Sequence, residues 1–228
     1  MIVQNKETCR QDLIERILTL DIEPGAVLDE AELSEMYGLS RTPLREVFQK
    51  LAGEGYLTLA KNRGTKVSSM DINSMRNFFQ AAPMIYAAVA RLAAENAKKE
   101  QIAEIKEVQR LFRMACEQKE IRLIVMHNHN FHELIGKMAD NPFLTPSLNR
   151  LLIDHSRMSQ KFYSPINSKE RLVVWKACDQ HDAMIEALEK GEPATIVELT
   201  LEHWALSRDE IEKYSRPDPL DINLGKTG

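Results

Sequence analysis

Apolar residues in the first 70 positions recur at helical spacing in three short stretches, which turn-forming residues separate. One face of the first helix is made of Leu13, Ile14, Ile17 and Leu18. Asp29 is a good N-cap for a second helix, because Glu32 follows at the spacing of a capping box. Ser40 is the matching cap of a third helix. The pattern therefore predicts two helices, a turn and a third helix.

Two short runs with strand character follow the third helix. Residues 56–60 and 65–68 contain alternating apolar and β-branched residues, and residues 61–64 between them end in a glycine. We expect these runs to pair as a β-hairpin. Helices followed by a hairpin in this order predict a winged helix-turn-helix, a DNA-binding domain, over residues 1–70.

After residue 70 the apolar pattern is helical throughout, with breaks at Asn141-Pro142, Ser164-Pro165 and Gly191-Glu192-Pro193. The predicted helices are 72–95, 99–118, 120–140, 143–162, 168–190 and 193–214. The predicted fold class is mainly α, with a winged helix-turn-helix and its small β-hairpin followed by an all-α bundle of about six helices. Residues 71–215 would form this helical domain, and residues 216–228 a flexible tail.

Composition narrows the class of protein. No apolar run approaches the length of a membrane span, the first residues lack the apolar core of a signal peptide, and the three cysteines are dispersed. We therefore expect a cytoplasmic protein with no membrane partner. The net charge is −4, yet residues 41–66 carry six cations and only two anions. Such a local basic patch suits contact with phosphates.

The third helix carries the candidate contacts to double-stranded DNA. In a helix-turn-helix this helix enters the major groove N-terminus first. Arg41 and Arg45 share one face and suit bidentate contact with guanine, whereas hydroxyls near the helix N-terminus suit a phosphate. A single arginine would only indicate a surface charge, but the caps, the pattern and the charge agree. The predicted DNA-binding residues are Ser40, Arg41, Thr42 and Arg45, with Lys61, Arg63 and Gly64 on the wing.

Three of the six histidines have a spacing that suggests a metal site. Taking Glu192 as the apex of a helical hairpin, His181 lies eleven residues before it and His203 eleven after. The two imidazoles would therefore stand at one height on neighbouring helices. On an earlier helix, Asn128 and His132 are four residues apart and share a face. Three imidazoles and one oxygen suit a divalent ion, with zinc or nickel preferred.

Two alternatives to this ligand set remain open at the sequence level. The histidines could be hydrogen-bonded core residues around a pocket without metal. His129 could also replace His132, because it lies three residues before it.

The run Gly-Leu-Ser-Arg-Thr-Pro-Leu-Arg-Glu at residues 38–46, with Glu54-Gly55 and residues 64–67, resembles the winged-helix signature of the GntR family. The helical remainder resembles the sensor domain of its FadR subfamily. This resemblance implies that Arg41, Thr42, Arg45 and Gly64 occupy DNA-contact positions. Metal-binding sensors of this type have Asp-x-x-x-His on one helix and two further histidines. The present chain matches at all three histidines, and Asn128 stands where the relatives have aspartate.

The resemblance also implies a small-molecule effector, an organic acid or related metabolite bound near the metal. By position, Arg150, Arg157 and Tyr86 are the candidate effector-binding residues. The function implied is a homodimeric transcription regulator acting on a near-palindromic operator, with repression the commoner outcome in the family.

Two other functions remain open at the sequence level. One is a regulator that responds to the metal without an organic effector. The other is a metal-dependent hydrolase. Glu133 and Asp182 adjoin histidines, but neighbouring helical residues point about 100° apart, so neither is well aimed as a general base.

Overall fold

The computed structural model describes residues 5–60, 64–165 and 167–206, and the chain divides into two compact units between Met70 and Asp71. The described elements of the first unit are, in chain order, α1 (Lys6–Leu18), β1 (Val27–Leu28), α2 (Glu30–Tyr37), α3 (Arg41–Glu54), β2 (Leu57–Ala60) and β3 (Gly64–Val67).

Local capping explains where α2 and α3 begin and end. The Asp29 side chain accepts hydrogen bonds from the backbone N–H groups of Ala31 and Glu32, at 2.7 and 3.1 Å. These bonds satisfy two amides that would otherwise lack a partner at the start of α2. Gly38 ends α2 with φ of 61°, a left-handed conformation that glycine adopts at little cost. This glycine makes the turn between the two helices of the motif.

The three strands form one antiparallel sheet in the order β1-β3-β2. Leu57 pairs with Val67 in the β2–β3 ladder, and Val27 pairs with Lys66 in the β1–β3 ladder. The predicted hairpin is present, and β1 is an addition that the sequence did not predict. A strand of two residues is too short to show an alternating pattern.

The core of the first unit is made by the inner face of α3. Leu44, Val47, Phe48 and Leu51 are buried, and they belong to one apolar cluster with Leu13 and Ile17 of α1. Complete burial of one such side chain stabilises the fold by roughly 1.5–3 kcal/mol. Because α3 is held along this face, its opposite face remains in solvent.

The second unit is helical in its described part. Its elements are α4 (Ile72–Asn96), α5 (Lys99–Gln118), α6 (Ile121–Ala139), α7 (Leu144–Phe162), α8 (Ser168–Lys190) and α9 (Pro193–Ala205). The predicted helix bounds agree within one residue except at the end of the last helix, which was predicted to run to residue 214. α9 ends at Ala205, Leu206 is its C-cap, and residues 207–214 lie outside the described residues, as does the predicted tail 216–228. The predicted fold class is confirmed.

The helices of the second unit pack as a bundle in which α4 contacts α6, α7 and α9. α5 lies against α6 and α8, and α8 forms a hairpin with α9 through Gly191, whose φ is 65°. In the described ranges, none of the helices has the length and apolarity needed to span a membrane.

Candidate functional site

The start of α3 presents the predicted DNA contacts to solvent. Ser40, Arg41, Thr42 and Arg45 are all exposed. Ser40 occupies the N-cap position, but its side chain makes no capping hydrogen bond. Its hydroxyl and the unpaired amides of the first helical turn are therefore placed where a phosphate could accept from them.

Arg45 has one surface contact to a described residue. Its Nε donates to a carboxylate oxygen of Glu30 at 3.0 Å, and 62% of the Arg45 side chain remains exposed. An exposed ion pair of this kind contributes only about 0.2–1 kcal/mol. Arg45 can therefore exchange Glu30 for a stronger acceptor at small cost.

The predicted wing residues are only partly described. Lys61 and Arg63 lie outside the described residues. Gly64 begins β3 with φ of 75° and is exposed, so it supplies a backbone conformation that side chains rarely adopt.

In the second unit, His132 of α6, His181 of α8 and His203 of α9 come together. One ring nitrogen from each lies within 4.8 Å of the others. His132 and His181 are buried, and His203 is 9% exposed. The helical hairpin of α8 and α9 thus places its two histidines side by side, and α6 contributes the third.

His132, His181 and His203 form the histidine cluster. Two glutamines orient the imidazoles of His181 and His203. His181 Nδ1 lies 3.2 Å from Gln109 Oε1, and His203 Nδ1 lies 3.0 Å from Gln180 Oε1. An amide oxygen only accepts hydrogen bonds, so each imidazole donates through its Nδ1–H. In the neutral tautomer this leaves the Nε2 lone pair of both rings free. Metal-binding histidines are oriented in the same way.

Burial keeps these imidazoles neutral. It lowers the pKa of His203 to about 4, and burial together with the neighbouring imidazoles lowers the pKa of His132 and His181 well below the ordinary value. Nε2 of His132 and Nε2 of His181 are buried and have no hydrogen-bond partner among the described residues. Buried polar atoms without a partner are costly. Neutral imidazoles with free lone pairs fit a divalent metal ion such as zinc.

Asn128, the fourth predicted ligand, is 1% exposed. Its Oδ1 accepts a hydrogen bond from the Tyr163 hydroxyl at 3.1 Å, and its Nδ2 is buried with no hydrogen-bond partner in the part of the chain that the structure describes. The amide is thus a buried polar group on α6, one helical turn before His132. Its role as a ligand stays a prediction.

Two further histidines lie near the cluster. His129, the alternative to His132, has its Nδ1 2.8 Å from Ser156 Oγ. His155 has its ring centroid 4.9 Å from that of His132, and its Nδ1 lies 2.8 Å from the Tyr86 hydroxyl. Burial lowers the pKa of His155 to about 3. Tyr86, one of the predicted effector residues, therefore lies beside the histidine cluster.

The two predicted effector arginines share one partner. Arg157 is 1% exposed and Asp154 is 5% exposed, and the two form a buried ion pair. Arg150 also contacts Asp154, at 3.2 Å, from a half-exposed position. One carboxylate therefore faces two guanidinium groups, which leaves the trio with a net positive charge.

The described part of the second unit contains two cavities that bear on ligand binding. One of about 40 Å³ is lined by His155, His203 and Trp204, among others. That volume holds a few water molecules, since each needs about 10–15 Å³. A second of about 390 Å³, lined by Cys116, Trp175 and others, falls in the range of roughly 300–1,000 Å³ that is usual for ligand pockets.

Gln109 and Gln180 were missed at the sequence level, and His155 was expected only on a polar face or at a pocket rim, not beside the cluster. Gln109 could have been found, because it falls in the apolar stripe of α5 between Ile105 and Phe112 and is 3% exposed. A polar residue at a core position needs a partner. Gln180 and His155 had no such spacing signal.

Comparisons with known proteins agree with this architecture. The model of the bacterial regulatory proteins of the gntR family matches residues 5–67, and the FCD domain model matches residues 78–206. The transcriptional repressor RspR of Escherichia coli K12 is 28% identical over 195 residues, which cover 83% of each chain. A fatty acid metabolism regulator of Erwinia tasmaniensis is 47% identical over 58 residues, 25% of this chain and 24% of that one.

Among solved structures, Escherichia coli McbR/YncC superposes with a TM-score of 0.74 at 20% identity, covering 94% of this chain and 98% of that chain. This likeness shows the fold. The matched gntR model describes bacterial regulatory proteins, so the present chain is a regulator of transcription and not an enzyme. The chain thus belongs to the GntR family of bacterial regulatory proteins, with an FCD domain after its winged helix-turn-helix.

Proposed function

We propose that this chain is a cytoplasmic, homodimeric repressor of the FadR subfamily. In this proposal the first unit binds an operator, and the second binds an organic acid near a divalent metal, which changes operator affinity. The observation that carries the sensing half is the histidine cluster with two buried, unpartnered Nε2 atoms. The name of the RspR relative supports repression.

DNA binding would use the exposed start of α3. Arg41 and Arg45 are exposed on one face, and the partner of Arg45 in the described part of the chain is Glu30, with which it forms a weak pair. Contact of one arginine with a guanine contributes about 1–3 kcal/mol of discrimination. The exposed Ser40 and Thr42 would position the helix on phosphates.

The first test is selection of genomic fragments by the purified protein, followed by sequencing. We expect an enriched, near-palindromic site, because a two-fold symmetric dimer binds matched half-sites. Arg45→Ala should weaken binding to that site by about 10- to 100-fold. Lys50→Ala is the matched control, because it removes one charge from the exposed far half of α3 and should change binding by less than about threefold. Equal effects of both variants would contradict the assignment of α3.

Metal binding would use Nε2 of the histidine cluster and the side-chain oxygen of Asn128. A divalent ion there would supply positive charge to which a carboxylate effector can bind. Gln109 and Gln180 would fix the orientation of the His181 and His203 rings. Tyr86 and His155 would border the ligand. The buried Arg157 and the half-exposed Arg150 add positive charge on α7.

Binding of an organic acid requires this region to open, because the cavity beside His155 and His203 holds only about 40 Å³. The same small volume favours the second candidate function, a regulator that responds to the metal alone. An operator-binding titration distinguishes the organic-acid sensor from the metal sensor. An effect of zinc without any metabolite would favour the metal sensor, whereas an effect only when metabolite pools are added would favour the organic effector.

Dimerisation is tested by light scattering on the purified chain, for which we expect twice the monomer mass. The described part of the second unit exposes large apolar side chains that an interface could cover, namely Ile72, Met114, Leu123, Phe143, Leu172 and Leu201. A monomer at micromolar concentration would contradict this part of the proposal.

A further inference from the structure

Cys116 of α5 and Cys178 of α8 form a close pair of thiols in the second unit. The Cys178 thiol donates a hydrogen bond to Cys116 Sγ across 3.6 Å. Cys178 is 0% exposed and Cys116 is 8% exposed. They come from helices 62 residues apart in sequence, so their meeting reflects how α5 packs on α8.

Cys116 lies on the wall of the larger cleft, the cavity of about 390 Å³ that Tyr163 and Trp175 also line. A small oxidant can therefore reach one thiol of the pair while the other stays buried behind it. The hydrogen bond from Cys178 lowers the pKa of the Cys116 thiol against the effect of burial, and the charge of Arg113 lowers it further. Thiolate is the reactive form of cysteine.

We propose that Cys116 and Cys178 form a reversible disulfide when a peroxide reaches the cleft, and that this bond weakens the nearby metal site. The Cys116 thiolate attacks a peroxide oxygen, so that an S–O bond forms, the O–O bond breaks and an alcohol or water leaves. The Cys178 thiol then gives up its proton and attacks the sulfenic sulfur, and hydroxide leaves with that proton as water. Two thiols lose two electrons and two protons, and the peroxide is reduced.

The geometry requires only a small closure. A disulfide holds its sulfurs about 2.05 Å apart, so the present 3.6 Å must shrink by about 1.5 Å. Side-chain rotation and a small shift of α8 against α5 can supply this. Arg113 of α5 already joins the helices here, with contacts to Asp179 at 2.6 Å and to Asp182 at 2.8 Å.

One side chain connects the thiol pair to the histidine cluster. Gln109 Nε2 donates to the backbone carbonyl of Cys178 at 2.9 Å, and Gln109 Oε1 lies 3.2 Å from His181 Nδ1. A shift of α8 towards α5 at Cys178 therefore changes the contact that orients His181. Loss of a partner that orients a ligand weakens metal affinity by about 10- to 100-fold. This coupling rests on the proposed metal site, whereas disulfide formation does not.

The disulfide is tested by treating the full chain with hydrogen peroxide, blocking the remaining thiols and mapping peptides by mass spectrometry. We expect a linked pair of peptides carrying Cys116 and Cys178, lighter by two hydrogen atoms and separated again by dithiothreitol. Cys9 is the internal control, because it is 0% exposed and burial raises its pKa to about 11. Oxidation of Cys9 at the same rate, or of Cys116 to sulfinic acid without a link, would refute the proposal.

The coupling is tested by zinc competition with a chromophoric chelator, using reduced and oxidised protein. We expect about tenfold weaker zinc binding after oxidation. Cys116→Ser and Cys178→Ser are the matched controls, and peroxide should leave their zinc affinity unchanged. Equal affinities of oxidised and reduced wild type would refute the coupling. No zinc binding by the reduced protein would refute the metal site and the coupling together, and the peptide map alone would still decide the disulfide.

Discussion

Asn128→Asp is the sharpest test of the metal site, because this one buried substitution should destabilise the metal-free protein and at the same time tighten metal binding. The side chain is 1% exposed, its Oδ1 accepts from Tyr163, and its Nδ2 has no hydrogen-bond partner. The substitution keeps the shape and replaces that NH₂ group by a second oxygen. The new carboxylate would therefore be buried with one described hydrogen-bond donor, the Tyr163 hydroxyl.

Without metal the variant should be less stable at neutral pH. Burial disfavours the charged form, so the new carboxyl has a raised pKa in the folded state. A rise of about two units corresponds to about 2.7 kcal/mol at pH 7, at 1.36 kcal/mol per unit. A domain of this size loses about 2–4 °C of unfolding temperature per kcal/mol, which gives about 5–10 °C.

The sign of the pH dependence follows from linkage. A carboxyl with a raised folded pKa is least unfavourable when protonated, and its cost grows as pH rises through that pKa. The deficit relative to wild type should therefore be smaller at pH 5 than at pH 7.5.

With zinc about half of this deficit should disappear. A carboxylate is a stronger ligand than a neutral amide, and the metal charge cancels the cost of burying it. We expect zinc to bind the variant at least about tenfold more tightly, which is about 1.4 kcal/mol.

The assay is thermal unfolding followed by circular dichroism, in EDTA and in excess zinc. Asn149→Asp is the matched control, because Asn149 is exposed on α7 and the same change should move neither curve by more than about 0.5 kcal/mol. If Asn128→Asp behaves like this control in both conditions, Asn128 is not part of a metal site.

Three other outcomes are expected from features already described. Glu30→Gln removes the charged surface partner of Arg45 and one anion near the operator phosphates, so operator binding should tighten by about two- to fivefold. Unchanged or weaker binding in an electrophoretic shift assay would contradict the role of Arg45. Gln180→Leu removes the acceptor that orients His203, and it also removes the buried Nε2 of Gln180, which has no partner among the described residues. Zinc affinity should therefore fall by about tenfold, while stability in EDTA changes by less than about 1 kcal/mol. An unchanged affinity in chelator competition would argue against this orienting role. The pKa of His203 is lowered to about 4 and that of His155 to about 3, so the unfolded chain binds more protons below about pH 6.5 and urea stability in EDTA should fall steadily from pH 7 to pH 4.5; a flat profile would show that these imidazoles are not buried.

Sequence periodicity predicted the helices well, because each apolar face is long enough to repeat several times. α5 and α8 have the predicted bounds, and the other described helices of the second unit begin within one residue of them. Strand β1 was missed because pairing of Val27 with Lys66 depends on a partner 39 positions away, which leaves no local trace. Tertiary pairing of this kind is invisible to a window of neighbouring residues.

The histidine cluster could be anticipated because its spacing encodes distance. His181 and His203 are equally far from one turn, and this symmetry predicts their proximity directly. His155 had no such relation to a turn, and its place beside His132 depends on how α7 packs on α6. The predicted Arg157 illustrates a different limit. Its position was readable, but its ion pair with Asp154 was not considered.

The hairpin of α8 and α9 has a consequence for how this segment can change in length. Each residue added to a helix advances its end by 1.5 Å and turns it by about 100°. One residue inserted between Pro193 and His203 would therefore carry the imidazole away from His181, although every histidine would still be present. The number of residues between His181 and His203 therefore determines the geometry of the site, together with the side chains themselves.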